Sequence, residues 1–137
     1  HLGITGGAIG QGIPCATGAA VACPDRPVIN LQADGSAAYT VQALWTQVRE
    51  QLNVTTLLCS NRRYKILQGE VERAGIDAGP TARSLTDLSD PNIGWAQLAR
   101  GFGVPSVTVQ SAEQMAKELE RGLAEAGPYF IELQMAD

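Results

Sequence analysis

Basic residues are scarce in this chain of 137 residues. Ten Lys and Arg stand against fourteen Asp and Glu, a formal net charge of −4. With a pI near 4.9 there is no cationic footprint for a nucleic acid. Long apolar runs are also missing, which excludes a membrane span, and no signal peptide is visible, so the expected location is the cytoplasm. Cysteine is limited to Cys15, Cys23 and Cys59. Their number is odd and their spacing matches no metal-ligand pattern, so they read as reduced core thiols of a cytosolic protein. The single histidine, His1, is terminal and is not expected to be catalytic. Apolar residues make up 45% and charged residues 18%, the balance of an ordinary folded domain with a real core. The chain opens at His1 without a lead-in before a glycine-rich stretch, so residues 1–137 read as one domain of a longer polypeptide.

What is present is organised around the stretch from Asp34 to Asn61. Val28, Ile29 and Leu31 form a short β-branched, apolar run ahead of Ala33-Asp34-Gly35-Ser36, the pattern of a buried strand. Val41, Leu44, Trp45, Val48 and Leu52 recur at helical spacing, and Val54 to Cys59 reads as a second buried strand. Strand, helix and strand make a βαβ unit with parallel strands. A helix of about 13 residues returns roughly 20 Å, which a strand of about six residues matches. Asp34 and Asn61 are therefore expected at the same, carboxyl, end of the sheet, where open α/β sheets bind ligands.

Upstream, Gly6-Gly7-Ala8-Ile9-Gly10-Gln11-Gly12-Ile13-Pro14 lets backbone approach a ligand or a helix closely. It is a weak match to a dinucleotide fingerprint, because no strand precedes it within the chain. Cys15 to Cys23 suits a tightly packed helix, and Pro24 to Pro27 a turn. Beyond Asn61, residues 62–73 suit a short helix with Tyr64, Ile66 and Leu67 as its apolar side. Residues 74–92 read mostly as loop, a length that is usually functional or mobile. A helix is predicted over Ile93 to Phe102, with Trp95, Leu98 and Ala99 inward and Gly101 and Gly103 ending it. A strand follows over Val104 to Val109. Ser111 and Gln114 suggest a capping box that opens a helix with Met115, Leu119 and Leu123 on one face. Gly127-Pro128 stops it, and Tyr129 to Leu133 is the last strand. The expected fold class is α/β: a doubly wound, mostly parallel sheet with helices on both faces.

Asp34 offers a carboxylate and Asn61 an amide oxygen, both hard oxygen ligands. One carboxylate with neutral oxygens, completed by phosphate and water, is how proteins commonly hold Mg²⁺. Gly35 and Ser36 open the following helix, whose free N–H groups and dipole favour an anion. The competing reading is that Asp34 and Ser36 only cap that helix.

These motifs resemble the signature of the thiamine diphosphate-dependent enzymes. ADGS, Leu44-Trp45-Thr46 and Ser60-Asn61-Arg62-Arg63-Tyr64 are similar to its GDG-to-NN pattern, and GGAIGQGIP is similar to the family's GxMGxxLP segment. The resemblance covers nearly the whole chain, as the C-terminal, diphosphate-binding domain. Within the family it looks most like benzoylformate decarboxylase and the acetolactate synthase large subunit.

The resemblance implies Asp34 and Asn61 as side-chain ligands of Mg²⁺, with Arg63 where the family supplies a backbone carbonyl. It places Gly35, Ser36 and the turn of Tyr64, Lys65 and Ile66 against the diphosphate. Gly7 and Ala8 would be cofactor-binding, with the Gly7 carbonyl accepting from the amino group of the aminopyrimidine. Ile9 would be the apolar wedge that bends the cofactor and brings that nitrogen near the thiazolium C2. Two departures from the pattern are Ala33 for the first Gly and Ser60 for the first Asn. Arg62, Arg63 and Lys65 could face the diphosphate or form a solvated face.

The family's activating glutamate lies on a separate N-terminal domain, so no catalytic residue is assigned to this chain, and the isolated domain is expected to be inactive. The implied partners are a 2-oxo acid substrate, other domains of the parent chain, and a second subunit in a homodimer or homotetramer. Some acetolactate synthase relatives also carry FAD. The reaction implied is decarboxylation of a 2-oxo acid, carboligation, or both. Two alternatives stay open: a cofactor-binding module without activity, and a different α/β nucleotide-binding domain.

Overall fold

In the computed structural model, which describes residues 1–135, strands and helices alternate along the chain. The order is α1 (Gly12–Ala22), β1 (Val28–Ala33), α2 (Asp34–Thr40), α3 (Ala43–Arg49), β2 (Val54–Ser60), α4 (Lys65–Arg73), α5 (Pro80–Leu85), α6 (Trp95–Gly101), β3 (Ser106–Val109), α7 (Ala112–Ala124) and β4 (Tyr129–Gln134). The four strands form one sheet in the order β1-β2-β4-β3, and every pairing is parallel. Successive residues of a strand face opposite sides, so the apolar run of β2 divides between two layers. Leu58 and Phe130 pack with Ile13, Ala37, Leu44, Trp95 and Ala99, from α1, α2, α3 and α6. Leu57 and Ile131 pack on the other side against Met115 and Leu119 of α7. Helices thus cover both faces, as the alternating pattern predicts.

Several local expectations need correction. The single helix expected between the first two strands is two short ones, interrupted at Val41 and Gln42, and the first begins at Asp34 itself. The restart rotates Trp45 outward: it is half exposed, with the Arg49 guanidinium 4.9 Å above its ring. Leu98 and Leu123 are also partly exposed, each with about 40% of its surface accessible, and Ile66 and Leu67 of α4 more so. The stretch read as loop contains α5, started by Pro80 at its first turn. The third strand begins at Ser106, two residues later than expected, because α6 closes with a left-handed Gly103 and paired bonds from Gly103 N–H to Arg100 and from Val104 N–H to Ala99. Ser111 caps α7 through Gln114 N–H, but the Gln114 side chain reaches back to Gln110 N–H instead of closing the box. The cysteines are free, yet none is a core thiol: Cys23 is exposed, and Cys15 and Cys59 are half-buried. On β1, Ile29 and Leu31 share the α7 side of the sheet with Leu57, but they remain exposed because α7 lies over β2, β3 and β4.

Candidate active site at the carboxyl end of the sheet

Adjacent parallel strands carry the two motif residues to one edge. β1 and β2 pair in register from Val28 with Val54 to Ala33 with Cys59, so Asp34 and Ser60 leave the sheet side by side. The Asp34 carboxylate touches residues on either side of Asn61. Its Oδ2 accepts from Arg62 N–H at 2.6 Å and from Ser60 Oγ at 3.5 Å, and its Oδ1 accepts from Gly35 N–H at 2.8 Å. Arg62 reaches this position in the left-handed region, at φ +57°, an unusual conformation for a long side chain. Asn61 Oδ1 accepts from Arg63 N–H at 3.1 Å. Asp34 is buried, with only 1% of its surface accessible.

The capping alternative does not hold. Ala33 is the N-cap of α2 and no side chain caps the helix. Ser36 Oγ instead accepts from Gly10 N–H at 2.8 Å, while Thr40 Oγ1 donates to the Gly10 carbonyl at 2.6 Å. These two bonds tie the glycine-rich segment to α2. Gly10 has a φ of +91°, and a Cβ there would lie 2.8 Å from Tyr39 Cβ, so only glycine fits. Gly7 and Ala8 are exposed beside it, and Ile9 keeps 39% of its surface accessible.

The expected turn of Tyr64, Lys65 and Ile66 is the start of α4, with Tyr64 as N-cap. The Tyr64 ring lies over the backbone of Gly35, where a Cβ would come within 2.6 Å of two ring carbons. The first turns of α2 and α4 therefore meet, and their leading N–H groups make the edge favourable for an anion. Burial, then Tyr39 and Asp34, raise the Tyr64 pKa; burial, then Asp34, raise that of Cys59. Both groups stay neutral beside the carboxylate at pH 7.

Sequence reasoning missed what holds the loop after Asn61. Leu88 N–H donates to the Arg62 carbonyl at 2.8 Å, and Tyr64 N–H donates to the Thr86 carbonyl at 2.9 Å. Residues 86–88 are thereby stitched antiparallel to 62–64, with Arg63 bridged to Asp87. The Gly79-Pro80 helix start was the one signal of order there. A hollow of about 500 Å³ opens beside Asn61, under this stitch. A smaller one, about 200 Å³, lies at the opposite end of the strands near Pro27, Asn53 and Thr55, away from the motifs.

The donor set suits Mg²⁺ held jointly with phosphate. A carboxylate has about four lone-pair sites and an amide oxygen two, so both Asp34 and Asn61 retain acceptor capacity beyond their present bonds. Among the described residues no three of His, Cys, Asp and Glu group so as to hold a metal unaided. Phosphate oxygens and water would have to complete the shell, as Mg²⁺ commonly requires.

Fold and site together define an α/β domain whose parallel sheet presents, at its carboxyl edge, a buried acid and two helix starts suited to a small anionic ligand. Comparison with known proteins gives the particular family. Residues 3–133 match the family model described as thiamine pyrophosphate enzyme, C-terminal TPP binding domain, and the chain belongs to that family. It is 50% identical over 134 residues to IlvX of Mycobacterium tuberculosis, which bears the name of an acetolactate synthase large subunit, covering 96% of this chain and 26% of that protein. Benzoylformate decarboxylase of Pseudomonas aeruginosa is 33% identical, over 93% of this chain and 23% of its own length. The solved thiamine diphosphate-dependent 4-hydroxybenzoylformate decarboxylase of Rhodococcus jostii superimposes with a TM-score of 0.84 at 34% identity, over 93% of this chain and 23% of that one. The chain thus spans about a quarter of the relatives it matches. No described helix is long and apolar enough to cross a membrane.

Proposed function

We propose that this chain binds thiamine diphosphate and Mg²⁺ as part of a longer enzyme acting on 2-oxo acids, by decarboxylation, carboligation or both. The observation that carries the reading is the 2.6 Å bond between Asp34 Oδ2 and Arg62 N–H, which sets the acid of ADGS against the SNRRY loop. Asp34 and Asn61 offer the metal their side-chain oxygens, and Arg63 its carbonyl. Gly35, Ser36, Lys65 and Ile66, at the leading ends of α2 and α4, would neutralise the diphosphate through N–H groups and dipoles. Tyr64 closes over Gly35 and excludes water there. Ile9 and Gly7, tethered through Gly10, would set the bend of the cofactor and hold its amino group. When bound, the cofactor supplies the electron sink for the carbanion chemistry. The activating carboxylate comes from another domain or subunit, in an assembly that is at least a homodimer.

Titration calorimetry with thiamine diphosphate, NAD and ATP, each with Mg²⁺, tests the cofactor. Selective, Mg²⁺-dependent uptake of thiamine diphosphate is expected, and a preference for either nucleotide would remove the proposal. Consumption of a 2-oxo acid by the longer polypeptide tests the reaction.

A further inference from the structure

Residues 1–9 are exposed, and Gly10 is the first buried residue of the chain. Ahead of it, Ala8 N–H donates to the Thr5 carbonyl at 3.2 Å across Gly6 and Gly7, both left-handed at φ +59° and +69°. That is the pattern of a type I′ turn, so the Gly7 carbonyl and the Ile9 side chain belong to one compact hook. The Gln11 side chain adds longer contacts, accepting from Thr5 N–H at 3.5 Å and donating to the Gly3 carbonyl at 3.3 Å. Being exposed, the hook takes its direction from Gly10, where the chain enters the fold. Both polar groups of Gly10 are gripped there. The N–H that Ser36 Oγ accepts belongs to the peptide plane after Ile9, and the carbonyl that takes the Thr40 Oγ1 proton belongs to the next plane. Two planes in succession are thus fixed. Ser36 and Thr40 stand four residues apart on α2 and so share one face of it.

We infer that Thr40 is a positioning residue for the pyrimidine end of the cofactor, an inference that rests on the thiamine diphosphate reading above. In this role α2 serves both halves of the site. Its first turn, at Gly35 and Ser36, faces the diphosphate, and its last residue holds the footing of the hook. From Asp34 to Thr40 the helix axis runs about 9 Å, a length over which a helix is stiff. The Thr40 hydroxyl therefore sets the Gly7 carbonyl and Ile9 at a fixed separation from the diphosphate end. It acts through Gly10 and not by touching the cofactor.

The test uses the longer polypeptide and two probes, thiamine diphosphate and inorganic diphosphate, each titrated calorimetrically with Mg²⁺. Inorganic diphosphate has no pyrimidine, so it reports on the helix starts alone. Thr40→Val keeps the shape of the side chain and loses the donor. It should weaken thiamine diphosphate about fivefold, the worth of one hydrogen bond, and leave inorganic diphosphate within about twofold of the parent. Thr40→Ser restores the hydroxyl and should recover most of the loss. Without ligand, hydrogen exchange of the Gly10 amide should quicken in Thr40→Val and not in Thr40→Ser. A merely structural role would weaken both probes alike, and that result would overturn the inference. So would a thiamine diphosphate affinity in Thr40→Val equal to the parent's. Failure of the parent to bind thiamine diphosphate would sink the proposed function and this inference together, whereas the other two results sink the inference alone.

Discussion

Replacing Asp34 with alanine should destabilise the fold as well as release the cofactor. A carboxylate at an exposed rim could be removed at little cost, but Asp34 is 1% accessible and accepts short bonds from the N–H groups of Gly35 and Arg62. Hydrogen bonds to a charged group contribute about 1.5–3 kcal/mol each. The two together set an upper figure of roughly 3–6 kcal/mol, and relief of the buried charge offsets part of it. A net loss of about 3 kcal/mol is expected, a large share of the 5–15 kcal/mol typical of a domain. At roughly 4 °C per kcal/mol for a domain of this size, the melting temperature should fall by about 12 °C. Thermal and urea unfolding without cofactor or Mg²⁺ measures this directly, and the midpoint should move with the urea slope unchanged. Asp34→Asn keeps one acceptor but turns an amide N–H₂ towards one of the two donors, so it should fall between parent and alanine variant. A melting temperature for Asp34→Ala within about 3 °C of the parent would refute the reasoning, whatever happened to cofactor retention.

Gly35→Ala should cost about 1–3 kcal/mol through its clash with the Tyr64 ring, and Tyr64→Ala should recover part of it, a coupling that a double-mutant cycle reads. In the longer polypeptide, Ile9→Ala should lower kcat by about tenfold while cofactor affinity changes much less; equal losses would deny Ile9 a role in setting cofactor conformation. Tyr129, raised by burial and then by its 2.6 Å bond to Glu118, should ionise near pH 12 when followed by tyrosinate absorbance. Because its folded pKa lies above the unfolded value near 10, its contribution to stability is complete below pH 10 and is lost as pH rises through 12. Glu118→Gln should bring that ionisation down.

The parts of the fold that were legible in the sequence rest on local periodicity. The β-branched runs of β1 and β2, separated by one helical return, were enough to place Asp34 and the SNRRY loop on one edge, and the register of Ala33 with Cys59 bears this out. Trp45 misled because spacing cannot reveal the break at Val41 and Gln42, which resets the helical phase. The burial of Asp34 has no signal in residue type, because it depends on Arg62 adopting a left-handed backbone across the loop. The stitch between 62–64 and 86–88 joins segments more than twenty residues apart through main-chain bonds, which leave no trace in residue type. Gln47, wholly buried on α3 and donating to Thr17 Oγ1 at 3.0 Å, is likewise a tertiary outcome that its polarity argues against.

That stitch makes the stretch after α4 a tuning screw for the chemistry next door. Lengthening or shortening residues 74–92 would pull on the main chain of Arg62 and Tyr64 without altering a single ligand, shifting how the buried acid is gripped. Swapping this stretch between relatives is therefore a way to retune the site from a distance while leaving its signature residues untouched.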